Sequence, residues 1–144
     1  MRHQTLLNHI TGIIAGFDFS VPLHHYLKNH FRQNKQLGSR DRKIISSGCY
    51  AFYRCALLLP HKSVEEKLAL SFFITNETNL LSKYLFEKYY ITNNESHNLS
   101  EKLEFNKQQG GINPDIAFPF LNLLSEEIDK EVFTASMFQQ PLVW

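Results

Sequence analysis

The sequence predicts an all-α fold, and three observations predict it. Apolar residues recur along the chain at the spacing of about 3.6 that lines one side of a helix. Residues that start and stop helices punctuate this pattern, among them Val21-Pro22, Gly38-Ser39, Pro60, Ser63-Val64-Glu65-Glu66 and Gly110-Gly111. No alternating apolar and polar run reads as a strand ladder before residue 140. The chain has 144 residues, 43% of them hydrophobic and 20% charged, which is room for one ordinary domain. Its 12 Phe and 6 Tyr supply enough apolar surface for a core without disulfides or metal.

The first helix runs from about Arg2 to Ala15, with Leu6, Leu7, Ile10, Ile13, Ile14 and Phe17 on one side. Ser20 is a candidate N-cap for the second, and Pro22 falls where a first turn tolerates proline. That helix buries Leu23, Leu27 and Phe31, Gly38 breaks it, and Ser39 is placed to cap the third. The third helix, from about Ser39 to Leu59, carries Ile44, Ile45, Gly48, Cys49, Phe52, Cys55, Ala56 and Leu59 on one side. Tyr50, Tyr53, Leu57 and Leu58 lie elsewhere around it, so it reads as the central helix of a bundle. Gly48 lets a neighbouring helix approach, and Pro60 ends the segment.

A capping box at Ser63 to Glu66 opens the fourth helix, with Val64, Leu68 and Phe72 in register. The fifth runs from about Asn79 to Tyr90, and Thr92 to Asn98 is a polar loop. Leu99 to Gln109 is a weakly amphipathic helix that Gly110-Gly111 stops. Phe118-Pro119 opens a further helix through about Ile128, and the last covers Lys130 to Gln139. The total is seven to eight helices over residues 1–139. Residues 140–144 read as a short extended apolar end, the start of a linker or strand into a further domain.

Cys49 and Cys55 lie six apart on one helix, so their Cα atoms stand roughly 9 Å apart. A disulfide closes only to roughly 7 Å. Both therefore read as reduced core residues, which fits a cytoplasmic protein. No run approaches roughly 18 apolar residues, and the N-terminus has no signal-peptide core, so neither a membrane span nor secretion is expected. The N-x-[ST] triplets at Asn76, Asn94 and Asn98 then follow from an asparagine-rich composition.

Charge is unevenly shared. The chain's formal net charge is +1, but residues 1–62 carry +7 and residues 63–144 carry −6. Either one face meets a polyanion, or the two parts pack together and neutralise each other. On the second helix Lys28, Arg32 and Lys35 are spaced i, i+4, i+7, away from Leu23, Leu27 and Phe31. This stripe continues into Arg40, Arg42 and Lys43, where helix-start N–H groups also favour phosphate. On the third helix Lys43, Ser47, Tyr50 and Arg54 form a second polar stripe, whose tyrosine suits stacking on a base. The second-helix stripe is assigned to RNA binding. Arg40 and Arg42 stay open between phosphate contact and pairing with Asp41 or the acidic part.

No nucleotide-binding glycine motif, nucleophile elbow or zinc-protease motif occurs. His24, His25 and His30 lack the i, i+3 or i+4 spacing of helical metal ligands, so no metal site is assigned. No residue is assigned to catalysis.

The run Leu37-Gly38-Ser39-Arg40-Asp41-Arg42-Lys43-Ile44-Ile45, followed by Tyr50-Ala51-Phe52-Tyr53-Arg54, resembles a known family. It is similar to the N-terminal domain of RsmB-type (Fmu/Sun, NOP-related) RNA cytosine-C5 methyltransferases. Val21-Pro22-Leu23, Phe118-Pro119 and Gln140-Pro141-Leu142-Val143-Trp144 agree, and the likeness covers essentially the whole chain. The resemblance implies a NusB-like helical bundle that binds ribosomal RNA. In that family the bundle leads into a methyltransferase domain that uses S-adenosylmethionine to modify a cytosine of 16S rRNA. The chain stops before the family's glycine-rich cofactor motif and both catalytic cysteine motifs, and Cys49 and Cys55 match neither. The expected activity is therefore RNA recognition, with no cofactor in this segment and catalysis in the parent enzyme. The expected partners are ribosomal RNA and the protein's own C-terminal domain. A stand-alone NusB-like antitermination adaptor, binding RNA and a protein, is the alternative. A purely structural domain whose acidic part contacts a partner is the third reading.

Overall fold

Among the described residues, which are 2–92, 98–112 and 120–139 of a computed structural model, the chain forms seven α-helices and no strand. They are α1 (Arg2–Gly16), α2 (Leu23–Gln33), α3 (Ser39–Cys55), α4 (Val64–Ile74), α5 (Leu80–Lys88), α6 (Leu99–Gln108) and α7 (Lys130–Met137). The all-α class read from the sequence is the observed one. Phe118-Pro119 and the end from Gln140 to Trp144 lie outside the described residues, as does most of the expected loop before Asn98.

α4 is the helix enclosed on every side: all seven residues from Leu68 to Ile74 are buried. It packs against α1, α3, α5 and α6. The sequence pointed to α3 for this central place, but α3 keeps Arg40, Lys43 and Tyr50 in solvent. Full burial of each large apolar side chain contributes about 1.5–3 kcal/mol, so α4 anchors the core. Its polar members are satisfied locally: Ser71 Oγ donates to the Lys67 carbonyl (2.7 Å) and Thr75 Oγ1 to that of Ser71 (2.8 Å).

Several helix ends differ from the sequence pattern, each for a local reason. α2 stops at Gln33, before Gly38, because the Asn34 backbone N–H and side-chain amide both donate to the His30 carbonyl (3.1 and 2.8 Å). Pro22, not Ser20, holds the N-cap position; the Ser20 N–H instead donates to Asp18 Oδ1 (3.0 Å). Ser39 is already helical, and extended Gly38 precedes it without a side-chain cap. α3 ends at Cys55 and tightens into a 3₁₀ turn over Ala56–Leu58. The changed pitch sends Leu58 into the core and Ala56 out to solvent, the reverse of the α-helical register. The α-helix expected up to Ile128 is, over the described residues 120–128, only the 3₁₀ turn Leu121–Leu123.

Other termini follow sequence logic. Ser63 Oγ accepts from the Glu66 N–H (3.2 Å), and Asn79 accepts from Leu81 and Ser82 while the Ser82 hydroxyl accepts from the Asn79 N–H. Asn98 and Asp129 cap α6 and α7 in the same way.

At Gly48 the helices touch. An added Cβ would stand 2.7 Å from Ile10 Cδ1 of α1 and 3.3 Å from Phe72 Cζ of α4. Both neighbours are fully buried. Crowding of this kind costs about 1–3 kcal/mol, against about 0.5–1 kcal/mol gained by replacing a mid-helix glycine with alanine. Gly48→Ala is expected to lower stability in urea unfolding by roughly 1 kcal/mol. Ile10→Val deletes the methyl that the new Cβ meets. The double variant should be more stable than the sum of the two single changes.

Cys49 and Cys55 are fully buried, and burial pushes both thiols up to about 12. Neither forms a disulfide. Neither thiol should react with a water-soluble disulfide reagent in the native state, and two should be titrated in denaturant.

Candidate nucleic-acid interface

α2 and α3 are joined by the five residues from Asn34 to Gly38, and this hairpin carries seven of the chain's 15 lysines and arginines. Lys28 and Arg32 are exposed on α2, and Lys35 follows in the turn. Lys35 is therefore not on the helix, because of the early stop at Gln33. Arg40 and Lys43 are exposed on the first turns of α3. Tyr50 lies two turns further on the same helix and is 37% exposed.

The carboxylate that could have neutralised this surface is engaged elsewhere. Asp41 Oδ1 accepts from Arg2 at the start of α1, from Nη2 at 2.7 Å and Nε at 3.0 Å. The other ion pairs among the described residues are Lys62 with Glu66 and Lys88 with Glu65. Lys28, Arg32, Lys35 and Arg40 have no carboxylate partner among the described residues. The field at Lys43 is partly opposed by Glu77. Burial raises the Glu77 carboxyl's pKa above the usual range, and the Lys43 charge draws it back down.

Two arginines are tied into the fold. Arg42 Nε donates to the Leu37 carbonyl (2.9 Å), and its guanidinium lies 5.8 Å from the Phe31 ring centre. It closes the α2–α3 turn and is half-buried there. Arg54 is directed toward α7: Nη1 donates to the Met137 carbonyl (3.3 Å), and Nε is buried without a hydrogen-bond partner among the described residues. A cation at a helix C-terminus is favourable. The structure thus leaves Lys28, Arg32, Lys35, Arg40, Lys43 and Tyr50 exposed along α2, the following turn and α3, and directs Arg54 toward α7.

Two features of this region have no signature in local spacing. His9 Nδ1 and His30 Nε2 meet at 3.0 Å between α1 and α2, with the rings nearly perpendicular. They are 21 positions apart, so only tertiary packing pairs them. Phe19, in the loop before α2, is 70% exposed with φ of 63°. A left-handed conformation costs a non-glycine residue about 1–2 kcal/mol. Its ring lies 4.7 Å from that of Phe17 and 5.5 Å from that of Tyr53. Phe17 also contacts Tyr26 of α2 at 5.3 Å. Asp18-Phe19-Ser20 before a proline reads as a turn, and that was the available signal.

No three His, Cys, Asp or Glu side chains among the described residues converge as a metal site would require. None of the described helices is long and apolar enough to cross a membrane.

The described residues form an all-helical fold with exposed cations along α2, the following turn and the start of α3. No family model, no curated protein and no solved structure matches the chain.

Burial, and then the facing His9, lowers the His30 pKa below the ordinary imidazole range. The unfolded chain therefore binds more protons than the native one below about pH 6.5, and stability falls with acidification there. Urea midpoints should decline from pH 7 to pH 5, and His30→Gln should flatten that decline.

Proposed function

We propose that this chain binds ribosomal RNA through the α2–α3 hairpin. In this reading it is the NusB-like helical domain of an RsmB-type enzyme that methylates a cytosine of 16S rRNA in the cytoplasm using S-adenosylmethionine. One observation carries the RNA reading: Lys28, Arg32, Lys35 and Arg40 are exposed and free of carboxylate partners among the described residues. They lie in the part of the chain, residues 1–62, with a net charge of +7. The capture of Asp41 by Arg2 removes the nearest internal competitor for a phosphate. Support for the methyltransferase family is the sequence pattern from Leu37 to Ile45 and from Tyr50 to Arg54. In that family the cofactor and the reacting cytosine belong to a further domain, so the role of this chain is to grip and orient RNA.

Phosphate contacts release counterions, so affinity falls with salt in proportion to the number of contacts. Four contacts predict a loss of roughly 50- to 150-fold between 50 and 200 mM salt. Fluorescence anisotropy with a 16S rRNA fragment should give micromolar or weaker binding with that dependence. Reversing Lys28, Arg32 and Lys35 to Glu should weaken binding and reduce the slope of log affinity against log salt by about 2–3. Affinity that ignores both salt and the triple reversal would overturn the assignment.

A further inference from the structure

Phe19 combines two features that cost a free molecule stability: a strained backbone and a large apolar ring held in water. The ring is not loose. Phe17 and Tyr53 back it at 4.7 and 5.5 Å, so it is the outer member of a packed aromatic cluster. Tyr26 of α2 joins the same cluster through Phe17. Four residues after Phe19, α2 begins, and its exposed side chains include His24, His25, Lys28 and Arg32. The His24 and His25 rings lie against each other at 4.2 Å. A rigid exposed π-surface thus stands at the N-terminal end of the cationic helix.

We infer that Phe19 is a stacking platform for an unpaired nucleobase, so that this surface selects looped or single-stranded RNA over duplex. The inference rests on the RNA reading above and deepens it. A base in a helix is stacked on its neighbours and offers no free face, whereas a splayed base stacks on an exposed aromatic ring. The cations of α2 and the following turn then take the adjoining phosphates, which fixes the strand without reading its sequence. Tyr90 provides the contrast. It is also left-handed, with φ of 55°, and 92% exposed. It lines a cavity of about 490 Å³ with Phe73, Phe105, Glu101 and Glu104, where the carboxylates repel phosphate. Strain and exposure are shared by both rings, and what distinguishes Phe19 is that it leads directly into α2 with its exposed Lys28 and Arg32, while its neighbour Asp18 is engaged by the Ser20 N–H.

The test compares a hairpin RNA having an unpaired loop with a blunt duplex of the same stem, at low salt. Wild type should bind the hairpin more tightly. Phe19→Ala should weaken hairpin binding roughly tenfold and erase the preference. Phe19→Tyr should retain it, and Tyr90→Ala should change nothing. Loop base protons should shift upfield on binding wild type, through the ring current of Phe19, and not on binding Phe19→Ala. Equal affinity for hairpin and duplex, unaffected by Phe19→Ala while charge reversal still weakens both, overturns the stacking role and leaves the RNA reading intact. Absence of RNA binding by wild type overturns both. A concentration-dependent dimer abolished by Phe19→Ala, with hairpin affinity unchanged, overturns the inference in favour of a protein-docking surface.

Discussion

The close approach of three helices at Gly48 is the constraint on which the remaining architecture rests. With no side chain there, Ile10 of α1 and Phe72 of α4 both reach the α3 backbone. α4 can then be enclosed on every side, and α3 is pinned between α1 and α4 along one face. The opposite face of α3, with Arg40, Lys43 and Tyr50, is thereby committed to solvent. Surface chemistry on the α2–α3 hairpin is in this sense a product of core packing.

Electrostatics within the hairpin follow from which charges the fold consumes. Asp41 is held by Arg2, Arg42 by the Leu37 carbonyl and the Phe31 ring, and Arg54 by the end of α7. Those three side chains stabilise helix junctions. The cations left over, Lys28, Arg32, Lys35 and Arg40, are exposed and close in sequence because the α2–α3 connection is short. Exposed ion pairs contribute little individually, so the Arg2–Asp41 contact matters more for the charge it removes than for its strength.

Much of the fold could be read from residue spacing. The apolar face of α1 and the caps at Ser63 and Asn79 are local patterns with local causes, whereas α6 buries Lys102 and Asn106 beside Leu103. The sequence was less informative where tertiary contacts decide. The end of α2 depends on one asparagine side chain folding back to His30, which propensity does not encode. The burial of Leu58 depends on a change of helical pitch after Cys55. The central place of α4 follows from its nearly continuous apolar run from Leu68 to Ile74, which periodicity alone does not separate from the one-sided apolar pattern of α3. At the surface, Lys28, Arg32 and Arg40 lie on exposed helix positions as the periodicity indicates. The inward turn of Arg54 and the pairing of His9 with His30 join segments remote in sequence, and no single-sequence pattern specifies them.

The 3₁₀ turn after α3 has one further consequence. Its last carbonyl, at Leu58, is buried and accepts from both Asn106 Nδ2 of α6 and the Ile112 N–H, each at 3.0 Å. Gly111 leaves the room, since a Cβ there would sit 2.3 Å from the Asn106 side-chain nitrogen. A buried carbonyl deprived of its donors is costly. Residues 106–112 are thus fastened to the end of α3, and a unit trimmed to the cationic helices would lose both donors to this carbonyl.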